Sequence, residues 1–213
     1  MFVRDRMTVN PVTIAENAPI SEAGELMRKN KIARLPVVKD GKLIGIITEA
    51  DLLKLSPSAA TTLSVWELNY VLSKIKVSEG MTKNPITISP DATLEEAAMI
   101  MREKNVGALP VVEEGRLIGI ITESNIFDAF IDLMGLKLTG TRLTINLEDR
   151  IGAIADLTET IKQQGINIIS MALFHYPDNQ EGKLVLRLGS DRSEGLLKEL
   201  QNRGFKVEHV VNW

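Results

Sequence analysis

"GIITEADL" occupies residues 45–52, and "GIITESNI" occupies residues 119–126. The offset between them is 74 residues, and carried outward it aligns 7–53 with 81–127 without a gap. Met7-Thr8 meets Met81-Thr82, and Asn10-Pro11 meets Asn84-Pro85. "LPVV" at 35–38 meets "LPVV" at 109–112, and "GKLIGIITE" meets "GRLIGIITE". About half of the aligned positions are identical, too many for unrelated segments. A period this long that occurs only twice describes two copies of one supersecondary unit packed as a pair, not a solenoid.

Each copy has the same grammar. A short β-rich run, "PVTI" or "PITI", precedes a helix. The helix places Ile20, Ala23, Gly24 and Met27 on one face in the first copy, and Leu94, Ala97, Ala98 and Met101 in the second, at the i, i+3, i+4, i+7 spacing of an amphipathic helix. Thr93 and Glu96 form a capping box, while Pro19 takes the equivalent position in the first copy. Two apolar runs follow, split by "KDGK" or "EEGR", where Gly41 and Gly115 mark a tight hairpin turn. The strand "LIGIIT" then runs into a second helix at Thr48 or Thr122.

Two readings of Thr48 and Asp51 fit this geometry. In one, Thr48 is a helix N-cap and Asp51 an acid near the positive end of the helix. In the other, a hydroxyl and a carboxylate on one helical face hold the vicinal hydroxyls of a ribose, since a carboxylate accepts two hydrogen bonds at once. The second copy carries Asn125 where the first has Asp51.

Strand-helix-strand-strand-helix units ending "GIITExD", with "LPVV" upstream, resemble cystathionine β-synthase (CBS) domains over residues 3–134. Two in tandem resemble a Bateman module. The resemblance implies paired sheets with two clefts related by a pseudo-twofold axis, which in this family often bind AMP, ADP, ATP or S-adenosylmethionine. It further implies that each cleft is built across the copies. The first takes Thr48 and Asp51 with Asn84, Ile86, Val106 and Ala108 opposite; the second takes Thr122 and Asn125 with Asn10, Val12, Ile32 and Arg34 opposite. Arg34 reads either as a phosphate clamp, its fork matching phosphate oxygens, or as a solvated surface arginine. The first cleft is expected to favour the nucleoside part and Arg34 to set any phosphate preference.

Residues 56–80 join the copies. "SPSAATT" reads as loop, and Val65, Leu68, Leu72 and Ile75 give the next stretch helical spacing. Trp66 and Tyr70 read as a base-stacking platform or as a packing or dimer face.

Residues 137–213 have no counterpart in the repeat. "LTINL" alternates Leu143, Ile145 and Leu147 inward. "EDRIGAIADLTETIKQQG" reads as a helix with Asp149 as N-cap, Ile154, Leu157 and Ile161 inward and Gly165 at its C-terminal end. "INIISMALFHY" and "GKLVLRLGS" read as strands joined by the turn "PDNQEG", with Leu184, Leu186 and Leu188 facing one way and Lys183, Val185 and Arg187 the other. "RSEGLLKELQNRG" is a second helix and "FKVEHVV" a last strand, giving the order βαββαβ. With "EDRIGAIADL" at 148–157 and "GINI" at 165–168, this part resembles an ACT domain. That resemblance implies a ferredoxin-like regulatory module whose ligand contacts, for an amino acid, would come from Asp149, Arg150, Ile151, Gly152, Ala153, Ile154 and Asn167, often across a dimer interface; dimerisation alone is the other use of the same unit.

The totals narrow the functions. The 213 residues are 44% hydrophobic and 25% charged, as in an ordinary soluble globular chain. No apolar run reaches the ~18 residues of a membrane span, and "MFVRDRMTVNP" has no secretory h-region. The absence of cysteine excludes disulfides and thiolate chemistry and fits a reducing compartment. A formal net charge of −3 gives no pull toward nucleic acid. His175 and His209, the only histidines, belong to no metal or nucleophile-base set, and no P-loop is present.

The expected architecture is therefore mixed α/β and α+β: a CBS repeat at 1–59, a linker with a helix at 60–80, a second repeat at 81–135 and an ACT domain at 136–213. The order CBS–CBS–ACT in a chain this short resembles regulatory proteins associated by name with acetoin utilisation. The resemblance implies a cytoplasmic, homodimeric, non-catalytic sensor of an adenosine-containing ligand, without a required cofactor, acting on an unidentified protein; a ligand-free interaction scaffold is the alternative.

Overall fold

The computed structural model describes residues 1–56, 64–175, 181–190 and 194–212, without the side chains of Val65, Leu68 and Asn69. Residues 57–62 of the loop read at 56–62 and residues 177–180 of the turn read at 177–182 fall outside the described residues, as do the Val65 and Leu68 side chains, while Glu181 and Gly182 stand in strand and not in the turn. The chain divides into two compact units, Met1–Ile126 and Phe127–Trp213.

The first unit holds both repeats. Copy one contributes β1 (Thr8–Val9), β2 (Ile14–Ala15), α1 (Ile20–Asn30), β3 (Arg34–Lys39), β4 (Lys42–Thr48) and α2 (Glu49–Leu55). Then come α3 (Val65–Lys74), α4 (Val77–Gly80), β5 (Thr82–Lys83), α5 (Leu94–Lys104), β6 (Ala108–Glu113), β7 (Arg116–Thr122) and α6 (Glu123–Leu133), which runs on into the second unit. The predicted inward faces hold: Ile20, Ala23 and Met27, and likewise Leu94, Ala97 and Met101, are buried. Thr93 and Glu96 form the expected capping box, at 2.7 and 3.1 Å to each other's backbone N–H. The hairpins β3–β4 and β6–β7 turn on Asp40-Gly41 and Glu114-Gly115, all four with positive φ, as a type I′ turn needs.

The two sheets are exchanged in a way the repeat did not announce. Their orders are β2-β3-β4-β5 and β1-β7-β6. Strand β5, the first strand of copy two, completes the sheet of copy one, and β1, the first strand of copy one, completes the sheet of copy two. The exchange extends upstream. Val3 N–H donates to the Ala92 carbonyl at 2.9 Å, and Val77 N–H donates to the Ala18 carbonyl at 2.9 Å. Both valines are fully buried. The close crossing explains the glycine that opens each octapeptide. A Cβ at Gly45 would lie 2.6 Å from Met81 Sδ and 3.1 Å from the Thr82 carbonyl. At Gly119 the same positions are 2.5 Å from Met7 Sδ and 3.1 Å from the Thr8 carbonyl.

The runs "PVTI" and "PITI" form less strand than expected. Only Ile14 with Ala15 enters a ladder, and Ile88 makes a single bridge to Val111. The reason lies in the preceding Asn-Pro: Asn10 and Asn84 sit at φ 48°, and the prolines have no N–H to donate.

The second unit continues with β8 (Thr141–Glu148), α7 (Ala153–Gln163), β9 (Ile168–His175), β10 (Glu181–Leu188), α8 (Glu194–Asn202) and β11 (Lys206–Asn212). This is the predicted βαββαβ order. Its antiparallel sheet runs β11-β8-β10-β9. Leu143, Ile145, Leu147, Leu184, Leu186 and Leu188 face the helices and pack on Leu157, Ile161, Leu196 and Leu200. Two details of α7 differ from expectation. Its N-cap is Gly152 at φ 89°, not Asp149. The helix therefore starts three residues later and turns Ala153 inward, leaving Ile154 39% exposed. The other face of β10 is also covered: Arg187 is 2% exposed and donates to the Leu138 carbonyl at 3.1 Å.

Candidate functional site

The strand exchange builds two cavities in the first unit, each walled by both repeats. One measures about 590 Å³ and the other about 350 Å³. Both fall in the size range of small-molecule sites, ~300–1,000 Å³.

The larger cavity gathers all six residues expected of the first cleft: Thr48, Asp51, Asn84, Ile86, Val106 and Ala108. The β4 strand delivers Thr48 to the head of α2, where the cap network fixes Asp51. Thr48 N–H and Oγ1–H both donate to Asp51 Oδ2, at 3.0 and 2.7 Å, and Asp51 N–H donates back to Thr48 Oγ1 at 3.3 Å. Asp51 Oδ1 stays outside this network and takes only a long contact of 3.5 Å from Lys54 Nζ. Both sequence readings of this pair are thus compatible: one oxygen caps the helix and the other is an acceptor at the cavity wall.

The smaller cavity gathers Val12, Ile32, Arg34, Thr122 and Asn125. Asn10 is not among its lining residues; its backbone N–H is spent on the Ile118 carbonyl at 3.0 Å in the turn ahead of Pro11. The cap is repeated with Asn125 Oδ1 as acceptor, at 2.9 and 2.8 Å from Thr122 N and Oγ1. Those two donors require the carbonyl oxygen, so the amide NH₂ of Asn125 faces away from the cap. Where the first cleft offers an acceptor, the second offers a donor.

Charge separates the clefts further. Arg34 and Lys54 in the larger cavity stand with Glu49 and Asp51, whereas Lys31 and Arg34 in the smaller one stand with no lining carboxylate. Sequence reasoning missed Lys31 and its counterpart Asn105. Both close the helix before the pre-"LPVV" strand in the left-handed conformation, at φ 54° and 52°, and line the second and first cavity respectively. The shared pattern of a helix end three residues before that strand was the available signal. Trp66 and Tyr70 are 85% and 65% exposed and line neither cavity.

In the second unit the expected ligand loop is not gathered into one site. Arg150 and Ala153 line a concavity of about 230 Å³ with Glu148, Glu181, Arg203 and Lys206. Asn167 lines a different depression, beside Lys162 and Gly165. Asp149, Ile151, Gly152 and Ile154 line neither and are exposed. The charges of the concavity are paired. Arg150 donates to Asp156 at 2.6 Å, Arg203 to Glu199 at 2.7 Å and Lys206 to Glu181 at 3.0 Å. The Lys206 pKa is raised by that hydrogen bond and by the Glu181 charge. His175 and His209 are exposed, and among the described residues no cluster of His, Asp and Glu could hold a metal ion.

A paired repeat with two inter-repeat clefts, followed by a four-stranded βαββαβ unit, defines a class of regulatory module. The chain belongs to the CBS-domain family, which residues 3–58 and 73–132 match, and residues 139–211 match the TTHA0829-like ACT domain. An uncharacterised protein of Methanocaldococcus jannaschii is 36% identical over 155 residues, 62% of this chain and 92% of that protein. Among solved structures, a Vibrio cholerae protein assigned to acetoin utilization (AcuB) is 30% identical with a TM-score of 0.54, covering 64% of this chain and 95% of its own. CBSX2, from Arabidopsis thaliana, was solved in complex with AMP; it is 32% identical with a TM-score of 0.53, covering 62% and 97%. The CBS domain pair of protein MJ0100 was solved with 5′-methylthioadenosine and S-adenosyl-L-methionine; it is 32% identical with a TM-score of 0.51, covering 61% and 95%.

Proposed function

We propose that the protein is a non-catalytic sensor that binds an adenosine-containing ligand in the clefts between its CBS repeats. The observation that carries this reading is the larger cavity, which collects a ribose acceptor at Asp51 and apolar walls at Ile86, Val106 and Ala108 from both repeats. Two similar CBS pairs bind AMP or adenosyl compounds, which supports the ligand class. Asp51 and Thr48 hold the ribose, the apolar walls receive the base, and Arg34 receives phosphate. A ligand held by both repeats favours one arrangement of the pair over others, which is the requirement for signalling. The ACT domain serves as a dimerisation unit or as a second input for an amino acid. The free edges of its sheet, β9 and β11, favour a homodimer. The likeness to the acetoin-utilisation protein supports a regulated process linked to acetoin use.

Calorimetric titration of AMP, ADP, ATP and S-adenosylmethionine into the nucleotide-free protein tests the reading. Saturable binding that weakens in Asp51→Ala is the expected result. No heat and no shift in melting temperature with any of them would leave the ligand-free scaffold. Steady ATP turnover abolished by Asp51→Ala would make the protein an enzyme instead.

A further inference from the structure

The sequence places Arg34 in one cleft, but in the structure it lines both. Arg34 opens β3 at the seam between the cavities, and its guanidinium extends across to Gly107 of the other repeat. A Cβ at Gly107 would lie 3.1 and 3.4 Å from the two terminal nitrogens of Arg34. The repeat makes this asymmetric. The counterpart of Arg34 is Ala108, and the counterpart of Gly107 is Ala33, so the pair holds one such arginine and one space for it. Glu123 approaches the same point, its Oε2 lying 2.9 Å from where a Cβ at Gly107 would stand. No ion pair joins it to Arg34, and among the described residues no carboxylate lies within pairing distance of the guanidinium.

We propose that Arg34 is a single phosphate-binding side chain shared by the two clefts, so that a phosphorylated adenosine ligand in one cleft weakens the binding of a second in the other. This rests on the adenosine-ligand reading above. A guanidinium gives its paired Nη1/Nη2 edge to one phosphate at a time, so a second phosphate is left without that bidentate contact. With Arg34 turned to the smaller cavity, the phosphate there also meets Lys31. The larger cavity is then left with Lys54, held by Asp51 and beside Glu49. The favoured filled state is therefore mixed: a phosphorylated ligand in the Asn125 cleft and an adenosyl ligand without phosphate in the Asp51 cleft. The protein would read the ratio of two adenosine compounds, not the amount of one.

The test measures AMP and adenosine binding to the full chain and to two variants that each block one cleft. Ala50 and Ser124 are exposed, equivalent residues in the first turns of α2 and α6, and line the larger and smaller cavity respectively. Ala50→Trp leaves the Asn125 cleft, and Ser124→Trp leaves the Asp51 cleft. Each blocked variant is expected to bind one AMP about tenfold more tightly than the weaker step of the unmodified chain, a common size for coupling between sites. Adenosine should show no such gap. Arg34→Ala, and Gly107→Ala, which crowds the guanidinium without deleting it, should close the gap for AMP. Melting curves of the ligand-free variants check that each is folded. Two independent AMP sites, or a gap that survives Arg34→Ala, would overturn the shared arginine while leaving the adenosine reading standing. Absence of binding by both AMP and adenosine would overturn both.

Discussion

Asp51 and Asn125 do the same structural work and different chemical work. Each supplies one oxygen to the two donors of the preceding threonine, so the helix cap is indifferent to the exchange. The outward atom is not indifferent: a carboxylate oxygen in one cleft, an NH₂ in the other. Asp51→Asn should therefore leave the melting temperature of the ligand-free chain within about a degree. It should weaken adenosine binding to the first cleft about tenfold, the difference between a charge-assisted and a neutral hydrogen bond of ~1–1.5 kcal/mol. Asn125→Asp should strengthen adenosine binding in the second cleft and weaken AMP, because it sets a negative charge near phosphate. Calorimetry with the two ligands separates these outcomes, and equal effects on both ligands would contradict the assignment. At this scale the sequence was legible wherever a motif repeats, as at Thr48 and Asp51. It was not legible at Arg34, because its reach depends on the missing side chain of Gly107, 73 residues away along the chain.

Among the elements, amphipathic spacing identified α1 and α5 and the alternation identified β8 and β10, since burial on one face leaves a periodic trace. The exchange of β1 and β5 left none. A two-residue strand is too short for a pattern, and which repeat it joins is decided by the space above Gly45 and Gly119. The start of α7 was misplaced for a related reason. Asp149 is a good capping residue type, but the chain needs a left-handed residue to leave β8, and only Gly152 takes it without strain. A Cβ there meets only Arg150 Nη1 at 3.9 Å, an ordinary contact. Gly152→Ala should therefore lower the stability of the second unit by about 1–2 kcal/mol through backbone strain alone, read as a shift in its denaturant midpoint. The bulge in β11 gives an element-scale pH dependence. Glu208 is the extra residue between Val207 and His209, and it reaches Lys183 of β10 and Asn146 of β8, both at 2.8 Å. Those two hydrogen bonds, Lys183 first, hold its carboxyl below the ordinary 4.5. A carboxyl lowered in the folded state stabilises at neutral pH and loses that contribution as the pH falls below 4.5 through its folded value. Glu208→Gln should therefore flatten the loss of melting temperature between pH 6 and pH 3, by a small amount because the group is exposed; an unchanged acid slope would show that the bonds contribute nothing.

For the whole molecule, the strand exchange has a consequence for cooperativity. The sheet of copy one is completed by the first strand of copy two, and that of copy two by the first strand of copy one, so neither repeat has its full sheet without the other. The second unit has its own core, with Leu143, Leu157, Leu184, Leu186 and Leu200 all fully buried. The chain should thus unfold in two calorimetric transitions, one for both repeats and one for the ACT domain. Gly45→Val and Gly119→Val lie in different repeats, yet both force the exchanged strand away and should lower the same transition. Leu157→Ala should lower the other, by ~2–5 kcal/mol for a buried leucine. Excess AMP at a hundred times its dissociation constant should raise the repeat transition by about 2.7 kcal/mol per independent site. If Gly45→Val and Gly119→Val moved different transitions, the repeats would be separate folding units, and a ligand in one cleft could not report on both. If both moved one transition and AMP raised it, the exchanged strands would be what makes two clefts into one sensor: each binding event is felt by a sheet that holds a strand of the other repeat.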